Sequence, residues 1–233
     1  MLENFITKKM MLNKLEKEDK KFIAPHFQGG VVTAAELRRI ADVCEKFPES
    51  KIKLTGEIII GGIKEEGRNE GLRQMLGLPT ASVAGFCIRP VKICAGGYTC
   101  NNNLQDSFSL GLKLDEKFSG KKLPFKMIIA IAGCSRCCSE PLVKDVGIVA
   151  SRRGYSLYVG GAAGGRPRIA MRLADNLSDS EVTDIIERII SVYEKTGKAA
   201  ERLGRFIERI GFDKFKESTQ ILNERQEAKG ASS

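Results

Sequence analysis

The segment FKMIIAIAGCSRCCSE, residues 125–140, joins a short apolar run to a pair of cysteines, Cys134 and Cys138. An apolar run of this length is suited to a buried strand. A second segment, ICAGGYTCNNN at residues 93–103, also follows an apolar stretch and carries two more cysteines with five residues between them. Since both pairs come at the end of apolar segments, we expect them to lie in loops that can point several thiolates inward.

Glycines accompany both cysteine pairs, at positions 96, 97 and 133. Sulfurs that bind iron accept hydrogen bonds from backbone amides. Glycine, which has no side chain, lets the backbone approach the sulfur that closely. Four cysteines are therefore the candidate ligands of one metal cluster: Cys94, Cys100, Cys134 and Cys138.

Other interpretations of the cysteines stay open at this point. Zinc is the weaker metal alternative, because its paired ligands are usually about two to four residues apart, whereas five residues separate Cys94 from Cys100. Buried, inert thiols are the interpretation we favour for Cys44 and Cys87, which stand alone on apolar segments. Cys137 is expected to pack beside a candidate ligand, although it could substitute for one.

The composition limits the class of protein. With 233 residues, 42% of them hydrophobic, the chain can bury a sizeable core in one large domain or two smaller ones. It has no apolar stretch of about 18 residues, and its first residues are charged throughout, so we expect neither a membrane span nor a secretory signal. We expect a cytoplasmic protein, and in that compartment an odd number of cysteines, seven, argues against a disulfide framework.

The net charge of +9 favours an acidic partner, an anionic cofactor or an anionic substrate. A nucleic-acid partner is the least specific possibility that this charge suggests. Only 6% of the residues are aromatic, there is no Trp, and no basic helix or stacking platform stands out. We therefore expect no nucleic-acid partner.

Helix and strand signals alternate in the first part of the chain. Thr33 and Glu36 form a capping box, which predicts a helix that stops at Pro48. KIKLTGEIII, residues 51–60, predicts one strand, and residues 69–78 predict a second helix that a proline ends. The alternation predicts a small α+β unit.

The second part of the chain shows the same signals at greater length. A helix is predicted over residues 104–118, and Ser178 with Glu181 forms a capping box before another one. Further strands are predicted at residues 125–132, 146–151, 155–161 and 168–174. A last helix is predicted at residues 198–210.

The cysteine spacing resembles the signature of the sirohaem-dependent nitrite and sulfite reductases, in which four thiolates hold a 4Fe-4S cluster. Other blocks are similar to the same family: IRPVKIC, LQDSFSLGLKL, IAGCSRCCSE, VKDVGIV, LYVGGAAGG and RFIERIGFDKF. Upstream, GGVVTAAELRRIADVCEKFPESKIKLT resembles the ferredoxin-like half-domain of that family. Together these blocks cover residues 28–216, most of the chain.

The resemblance implies an α+β fold, in which a ferredoxin-like half-domain packs on a larger α/β domain that carries a 4Fe-4S cluster and sirohaem. It divides the chain into a basic N-terminal tail at 1–20, the ferredoxin-like half-domain at 21–83, the cluster and sirohaem-binding domain at 84–218, and a polar C-terminal tail at 219–233. Full-length family enzymes pair two such halves, so we expect a homo-oligomer or a subunit of a complex.

The resemblance also implies roles for single residues. Cys138 would bind the cluster and also the sirohaem iron. Further residues that match the family's cofactor site are Arg89, Lys92, Thr55, Lys126, Arg136 and Asn101. Of these, Lys126 and Arg89 are the candidate catalytic residues, since cations there would hold an anion and help to protonate it. His26, the single histidine, is expected to be a core or surface residue, although a histidine in this half-domain could approach the cofactor.

The sequence departs from the family pattern at positions that concern the substrate. An arginine is expected shortly after Thr55, but Glu57 and Ile59 stand there, and Ile128 replaces the second lysine of a Lys-x-Lys pair. The loss of one preorganised donor commonly costs about a hundred-fold in rate. The implied cofactors are therefore better supported than the implied substrate.

The sequence thus predicts an enzyme, an oxidoreductase that reduces sulfite or nitrite with electrons from an external donor. A ferredoxin or another acidic protein would suit the basic surface as that donor. The alternatives are a non-catalytic electron-transfer or tetrapyrrole-binding subunit, and a reductase of a different substrate.

Overall fold

The structure, a computed structural model, describes residues 22–61, 68–81 and 85–219. The predicted N-terminal tail and the chain beyond residue 219 lie outside the described residues. Among the helices that the structure describes, none is both long enough and apolar enough to span a membrane.

The first domain is a three-stranded antiparallel sheet with two helices. Its elements are β1 (Phe22–Ile23), α1 (Ala34–Glu45), β2 (Lys51–Leu54), β3 (Ile58–Gly61) and α2 (Arg68–Leu76). The strand order is β1-β3-β2. The predicted capping box is present at Thr33, and Ile40 and Val43 of α1 pack with Ile60 and Leu72 in one small core.

The prediction of a single strand over residues 51–60 is wrong, because this segment is a hairpin of β2 and β3. The turn at Thr55, Gly56 and Glu57 is closed by the Thr55 hydroxyl, which donates to the Glu57 carbonyl at 2.7 Å. A continuous apolar and β-branched run concealed this short Thr-Gly turn.

The second domain contains a five-stranded mixed sheet in the order β4-β5-β6-β7-β8. Its elements are β4 (Lys92–Ile93), α3 (Ser107–Phe118), β5 (Ile129–Ala132), β6 (Val146–Ser151), β7 (Gly154–Val159), β8 (Met171–Leu177), α4 (Asp179–Thr196), α5 (Leu203–Ile210) and α6 (Phe212–Ser218). Strands β4, β5 and β6 are parallel, and the remaining pairs are antiparallel.

The larger core lies in this second domain. All four residues of β5 are buried, as the apolar run predicted. Helix α4 follows the capping box at Ser178 and packs its apolar face against β7 and β8. The predicted last helix is wrong in extent: it begins at Leu203, and after Gly211, whose φ is 90°, a further short helix follows.

The two domains meet along α3. The turn at Gln28–Gly30 of the first domain packs against this helix, and Gly29 lies against its Phe108 and Leu112 side chains. Gly29 has a φ of 64°, in the left-handed region that glycine tolerates. This contact sets the first domain beside the ends of β4 and β5.

Candidate metal centre and adjoining cavities

The two cysteine segments lie at one edge of the second sheet. Strands β4 and β5 are parallel neighbours, so their carboxyl ends meet at that edge. Cys94 directly follows β4 and donates its N–H to the Ile131 carbonyl at 3.1 Å. The Leu104 N–H donates to the Gly133 carbonyl at 2.7 Å and joins the two loops. The topology therefore brings together segments that are some forty residues apart in sequence.

Backbone amides surround the Cys94 sulfur. Gly96 donates its N–H to Cys94 Sγ at 3.3 Å, and Gly133 donates from the other loop at 3.0 Å. A Cβ at Gly133 would lie 2.7 Å from Ser107 Oγ, and one at Gly96 would lie 3.2 Å from the sulfur. This is the close amide approach that the glycines predicted.

The second cysteine segment forms a tight turn beside Cys94. Cys137 has a φ of 52° and donates its N–H to the Cys134 carbonyl at 3.2 Å. Burial raises the pKa of the Cys137 thiol, and negative charge on Cys134, Cys138 and Cys94 raises it further. Cys137 is thus surrounded by three of the predicted ligands.

The fourth predicted ligand, Cys100, is stabilised as a thiolate. Hydrogen bonds from the Asn102 backbone and side chain lower the pKa of the Cys100 thiol, and the charge of Arg136 lowers it further. Arg136 belongs to the second cysteine segment, so this charge comes from the other loop. All seven cysteines lie in the described residues, and none forms a disulfide there.

The residues present fit an iron–sulfur cluster better than a single ion. Within the described ranges, no three His, Cys, Asp or Glu side chains stand close enough together to hold one metal ion. A tetrahedral zinc site needs four ligands about 2.3 Å from one centre. A four-iron cluster spaces its thiolates more widely and accepts amide hydrogen bonds at sulfur, as at Cys94. The amide donors at the Cys94 sulfur therefore fit a cluster held by these cysteines.

Two adjoining cavities open beside the cysteine loops, between the domains. The first cavity, of about 380 Å³, is lined by Cys138 and Ser139, by the β4 segment, and by His26, Glu57 and Asp115. The second cavity, of about 350 Å³, is lined by Thr55, Gly56, Glu57, Ile59, Arg89, Pro90, Lys92, Lys126 and Ile128. Glu57 and Lys92 line both, and we call these two adjoining cavities the cleft.

The second cavity collects most of the residues that the resemblance assigned to the cofactor and substrate site. Thr55, Arg89, Lys92 and Lys126 all line it. Asn101 is exposed in the turn after Cys100, and among the described residues it lines neither cavity. Arg136, between the cysteines of the second pair, is also exposed and lines neither of the two described cavities.

Electrostatics distinguish the two candidate catalytic cations. Burial lowers the pKa of the Lys126 ammonium, and the nearby positive charges of Arg202 and Arg89 lower it further. Arg89 is anchored, since its Nη2 donates to the Gly85 carbonyl at 3.0 Å. Lys126 is therefore the cation that gives up a proton more readily, and Arg89 is held as a fixed charge.

A carboxylate that faces His26 across the domain boundary, Asp115, was not predicted from the sequence. His26 Nε2 lies 2.7 Å from Asp115 Oδ2, and the other carboxylate oxygen accepts the Val91 N–H at 2.8 Å and the Ser119 hydroxyl. The hydrogen bond to Asp115 raises the pKa of His26 above its usual value. Burial would raise the pKa of Asp115, but these hydrogen bonds outweigh it and hold the pKa below its usual value.

A signal for Asp115 was present in the sequence. The residue falls on the apolar face of α3, beside Leu114 and one turn before Phe118. A carboxylate at such a position needs a partner, because an unpaired buried charge is costly. The identity of that partner, 89 residues away, is not encoded locally.

Two protein-family models match the sequence. Residues 84–226 match the nitrite and sulphite reductase 4Fe-4S domain, and residues 14–74 match the nitrite/sulfite reductase ferredoxin-like half domain. The two matches follow the order of the two domains in the fold.

Known relatives extend this similarity. The chain is 32% identical over 228 residues to nitrite reductase (NAD(P)H) of Bacillus subtilis, a match that covers 97% of this chain but 28% of that protein. It is 31% identical over 198 residues to an assimilatory-type sulfite reductase of Nitratidesulfovibrio vulgaris, covering 84% of this chain and 90% of the relative. The fold resembles that of the Mycobacterium tuberculosis NirA protein, with a TM-score of 0.73 and 23% identity over 86% of this chain and 39% of that one.

Proposed function

Because the chain belongs to the nitrite and sulphite reductase family, carrying its 4Fe-4S domain and its ferredoxin-like half domain, we propose that it reduces a small oxyanion, sulfite or nitrite. The observation that carries the proposal is the pair of cysteine loops at the ends of β4 and β5, with Cys138 opening into a cleft that Lys126 and Arg89 also line. Thiolates, amide donors and cations thus occur together along one cleft.

Residues of this chain would hold two cofactors. Four cysteines would bind the 4Fe-4S cluster: Cys94, Cys100, Cys134 and Cys138. Cys138 would also contact sirohaem, together with the residues Arg89, Lys92, Thr55, Lys126, Arg136 and Asn101. When bound, these groups supply one-electron storage and an iron at which an oxyanion can be reduced.

The chain's own side chains would bind and protonate the substrate. Arg89, anchored to the Gly85 carbonyl, would supply a fixed positive charge for an oxyanion. Lys126, whose pKa is lowered by burial and by neighbouring cations, would donate a hydrogen bond or a proton to an oxygen that leaves. Ile59 and Ile128 add apolar surface, so the cleft would hold its anion with few cations.

An external donor would supply the electrons. The net charge of +9 supports an acidic protein in that role, such as a ferredoxin. The chain spans only 28% of the length of its Bacillus subtilis relative, and a homo-oligomer or a complex with another subunit is part of the proposal. We expect these partners in the cytoplasm.

The test is turnover by anaerobically purified protein. Its absorption spectrum, iron, acid-labile sulfide and extracted tetrapyrrole would be measured first, and then the consumption of sulfite and of nitrite with reduced methyl viologen. Wild-type protein should consume one of the anions, whereas Cys134→Ser should lose the cluster and the activity. A protein with both cofactors that consumes neither anion would contradict the proposal.

A non-catalytic electron-transfer or tetrapyrrole-binding subunit is the second candidate. Glu57, Ile59 and Ile128 line the cleft where the family pattern leads one to expect cations, and this favours it. Such a protein would accept electrons from the viologen and stay reduced when the anion is added. The same experiment therefore separates the two candidates.

A further inference from the structure

Three titratable side chains from different elements line the first cavity. His26 follows β1, Glu57 lies in the β2–β3 turn, and Asp115 lies on α3. Cys138 lines the same cavity, and Glu57 also lines the second one beside Lys92. Glu57 therefore lines both parts of the cleft.

One nitrogen of the His26 ring is hydrogen-bonded, and the other is not. Its Nε2 is bonded to Asp115, while its Nδ1 is buried without a hydrogen-bond partner among the residues that the structure describes. The 16% of the side-chain surface that is exposed therefore belongs to other atoms of the side chain. Held in this way, the imidazole has a fixed orientation and, when protonated, is a fixed positive charge beside Asp115.

The Glu57 carboxyl lies among groups of both signs. His26, Asp115 and Lys92 face it in the first cavity, and burial raises its pKa to about 6. The charge of His26 lowers the pKa of Glu57, and Glu57 in turn raises that of His26, so the two groups are coupled.

Other charged groups also line the cleft. Glu140 lines the first cavity and is paired with Lys144 at 2.8 Å, while Arg89 and Lys126 line the second cavity. Glu57 has no hydrogen bond to its carboxyl among the described residues, which leaves it accessible to a ligand in the cleft.

We propose that Glu57 relays protons from solvent to the substrate in this cleft, and that protonated His26, oriented by Asp115, stabilises the carboxylate that Glu57 becomes. This inference rests on the proposed function and names a catalytic residue for it. Removing one oxygen of an oxyanion as water takes two electrons and two protons. The external one-electron donor supplies the electrons, and the relay acts once for each proton.

Each cycle of the relay balances. The Glu57 carboxyl gives its proton to the oxygen that leaves and becomes a carboxylate. Protonated His26, which keeps its Nε2 proton on Asp115, stabilises that carboxylate. The half-buried Glu57 carboxylate then takes a new proton from solvent.

Glu57 stands where the family pattern leads one to expect a cation, and this also affects how the substrate binds. An ionised Glu57 repels an anion, whereas the protonated form admits it and carries the proton that the reaction needs. Binding of the substrate and delivery of the proton are therefore coupled. Sulfite affinity should fall in wild-type protein as the pH rises and Glu57 ionises, and it should lose that dependence in Glu57→Gln.

The decisive variant is Glu57→Gln in cofactor-loaded, full-length protein, with reduced methyl viologen and sulfite or nitrite. Its kcat should fall about a hundred-fold while KM stays level or decreases, because the proton donor is lost but the negative charge is removed. The matched control is Glu45→Gln on the exposed end of α1, which should behave as wild type. An unchanged or increased kcat in Glu57→Gln would overturn the relay.

A second variant and a measurement that needs no turnover extend the test. His26→Gln should also lower kcat and remove the His26 ionisation from the pH profile; an unchanged profile would overturn the relay. Infrared titration should reveal a carboxyl band that ionises near neutral pH in wild type and is missing in Glu57→Gln; its absence from wild type would overturn the inference. No turnover by wild type would overturn the proposed function and the relay together, whereas turnover with an unaffected Glu57→Gln would overturn the relay alone.

Discussion

Gly133 shows how one residue can decide whether the cysteine loops close. Its N–H reaches the Cys94 sulfur, and its Cα lies so near the other loop that a methyl group would meet Ser107 and Asn103. The position is buried between β5 and Cys134. The presence of glycine here follows from the chemistry of the sulfur as well as from packing.

Gly133→Ala should weaken cluster binding. The added Cβ would lie 2.7 Å from Ser107 Oγ and 3.1 Å from Asn103 Cβ, so the loops must separate and the amide must leave the sulfur. Overpacking of this kind typically costs about 1–3 kcal/mol. We expect a lower iron content per chain and a lower unfolding temperature. Gly165→Ala, where a Cβ meets open space, is the control and should leave both unchanged.

Ile128→Lys should improve sulfite turnover if the cleft lacks a cation. Ile128 lines the second cavity with Lys126, and a lysine there would restore the second charge of the pair. One added donor should raise kcat/KM for sulfite by about ten-fold. Ile169→Lys, at a side chain that is 71% exposed, controls for net charge. An equal gain in both variants would mean that overall charge, and not the cleft, is responsible.

Between elements, the contact of α3 with the segment after β1 holds the two domains together. His26 and Asp115 form its charged part, and the Gln28–Gly30 turn forms its packed part. Each domain has a hydrophobic core of its own, one around Ile40 and Ile60 and the other along β5 and α4. The cleft lies between two separate cores, so its shape depends on this contact.

His26→Gln should destabilise the protein at acidic pH and have little effect at alkaline pH. The folded-state pKa of His26 is raised above 6.5, so its contribution is fully present below that value and is lost as the pH rises through the folded-state pKa. Glutamine can still donate to Asp115, as the neutral ring does. After a discount for solvent screening, we expect a loss of about 1 kcal/mol in the free energy of unfolding at mildly acidic pH.

Urea unfolding of both proteins, followed by circular dichroism on each side of neutral pH, measures this difference. Lys195→Gln, on the exposed end of α4, removes a positive charge elsewhere and should show no such pH dependence. A loss that grows as the pH rises would contradict the assignment of charged His26 to the domain contact.

At the scale of the whole molecule, positive charge dominates. The excess is +9, and a third cavity of about 550 Å³ is lined by Arg166, Arg168, Arg202 and Arg205 on the second domain. Asp145 holds Arg202 in a bidentate pair at 2.8 and 3.0 Å, and Glu208 holds Arg168. A charge of this size acts over distances of about a Debye length and favours encounter with acidic proteins.

Salt should therefore slow reduction by an acidic donor. In stopped-flow experiments, the rate of reduction by a reduced ferredoxin should fall by about ten-fold between low and moderate ionic strength. Reduced methyl viologen, a cation, should show the opposite trend because screening relieves its repulsion. A ferredoxin rate that does not respond to salt would contradict electrostatic steering.

Local features of this protein could be predicted from its sequence alone. The capping boxes at Thr33 and Ser178, the buried strand before Cys134 and each glycine-flanked cysteine pair depend on residues a few positions apart. The family was indicated by a resemblance in cysteine spacing and in further sequence blocks, and the family models confirm it. The sequence also indicated that the cleft has few cations, because Glu57, Ile59 and Ile128 stand where the family pattern leads one to expect cations.

Which distant groups meet depends on the fold of the whole chain. The Gly133 amide reaches a sulfur 39 residues away, and His26 reaches Asp115 across 89 residues. The hairpin at Thr55 was concealed by an uninterrupted strand pattern, although its turn sets Glu57 in the cleft. Periodicity and spacing report on neighbours along the chain, whereas these contacts depend on strand order and domain packing, which local patterns do not encode.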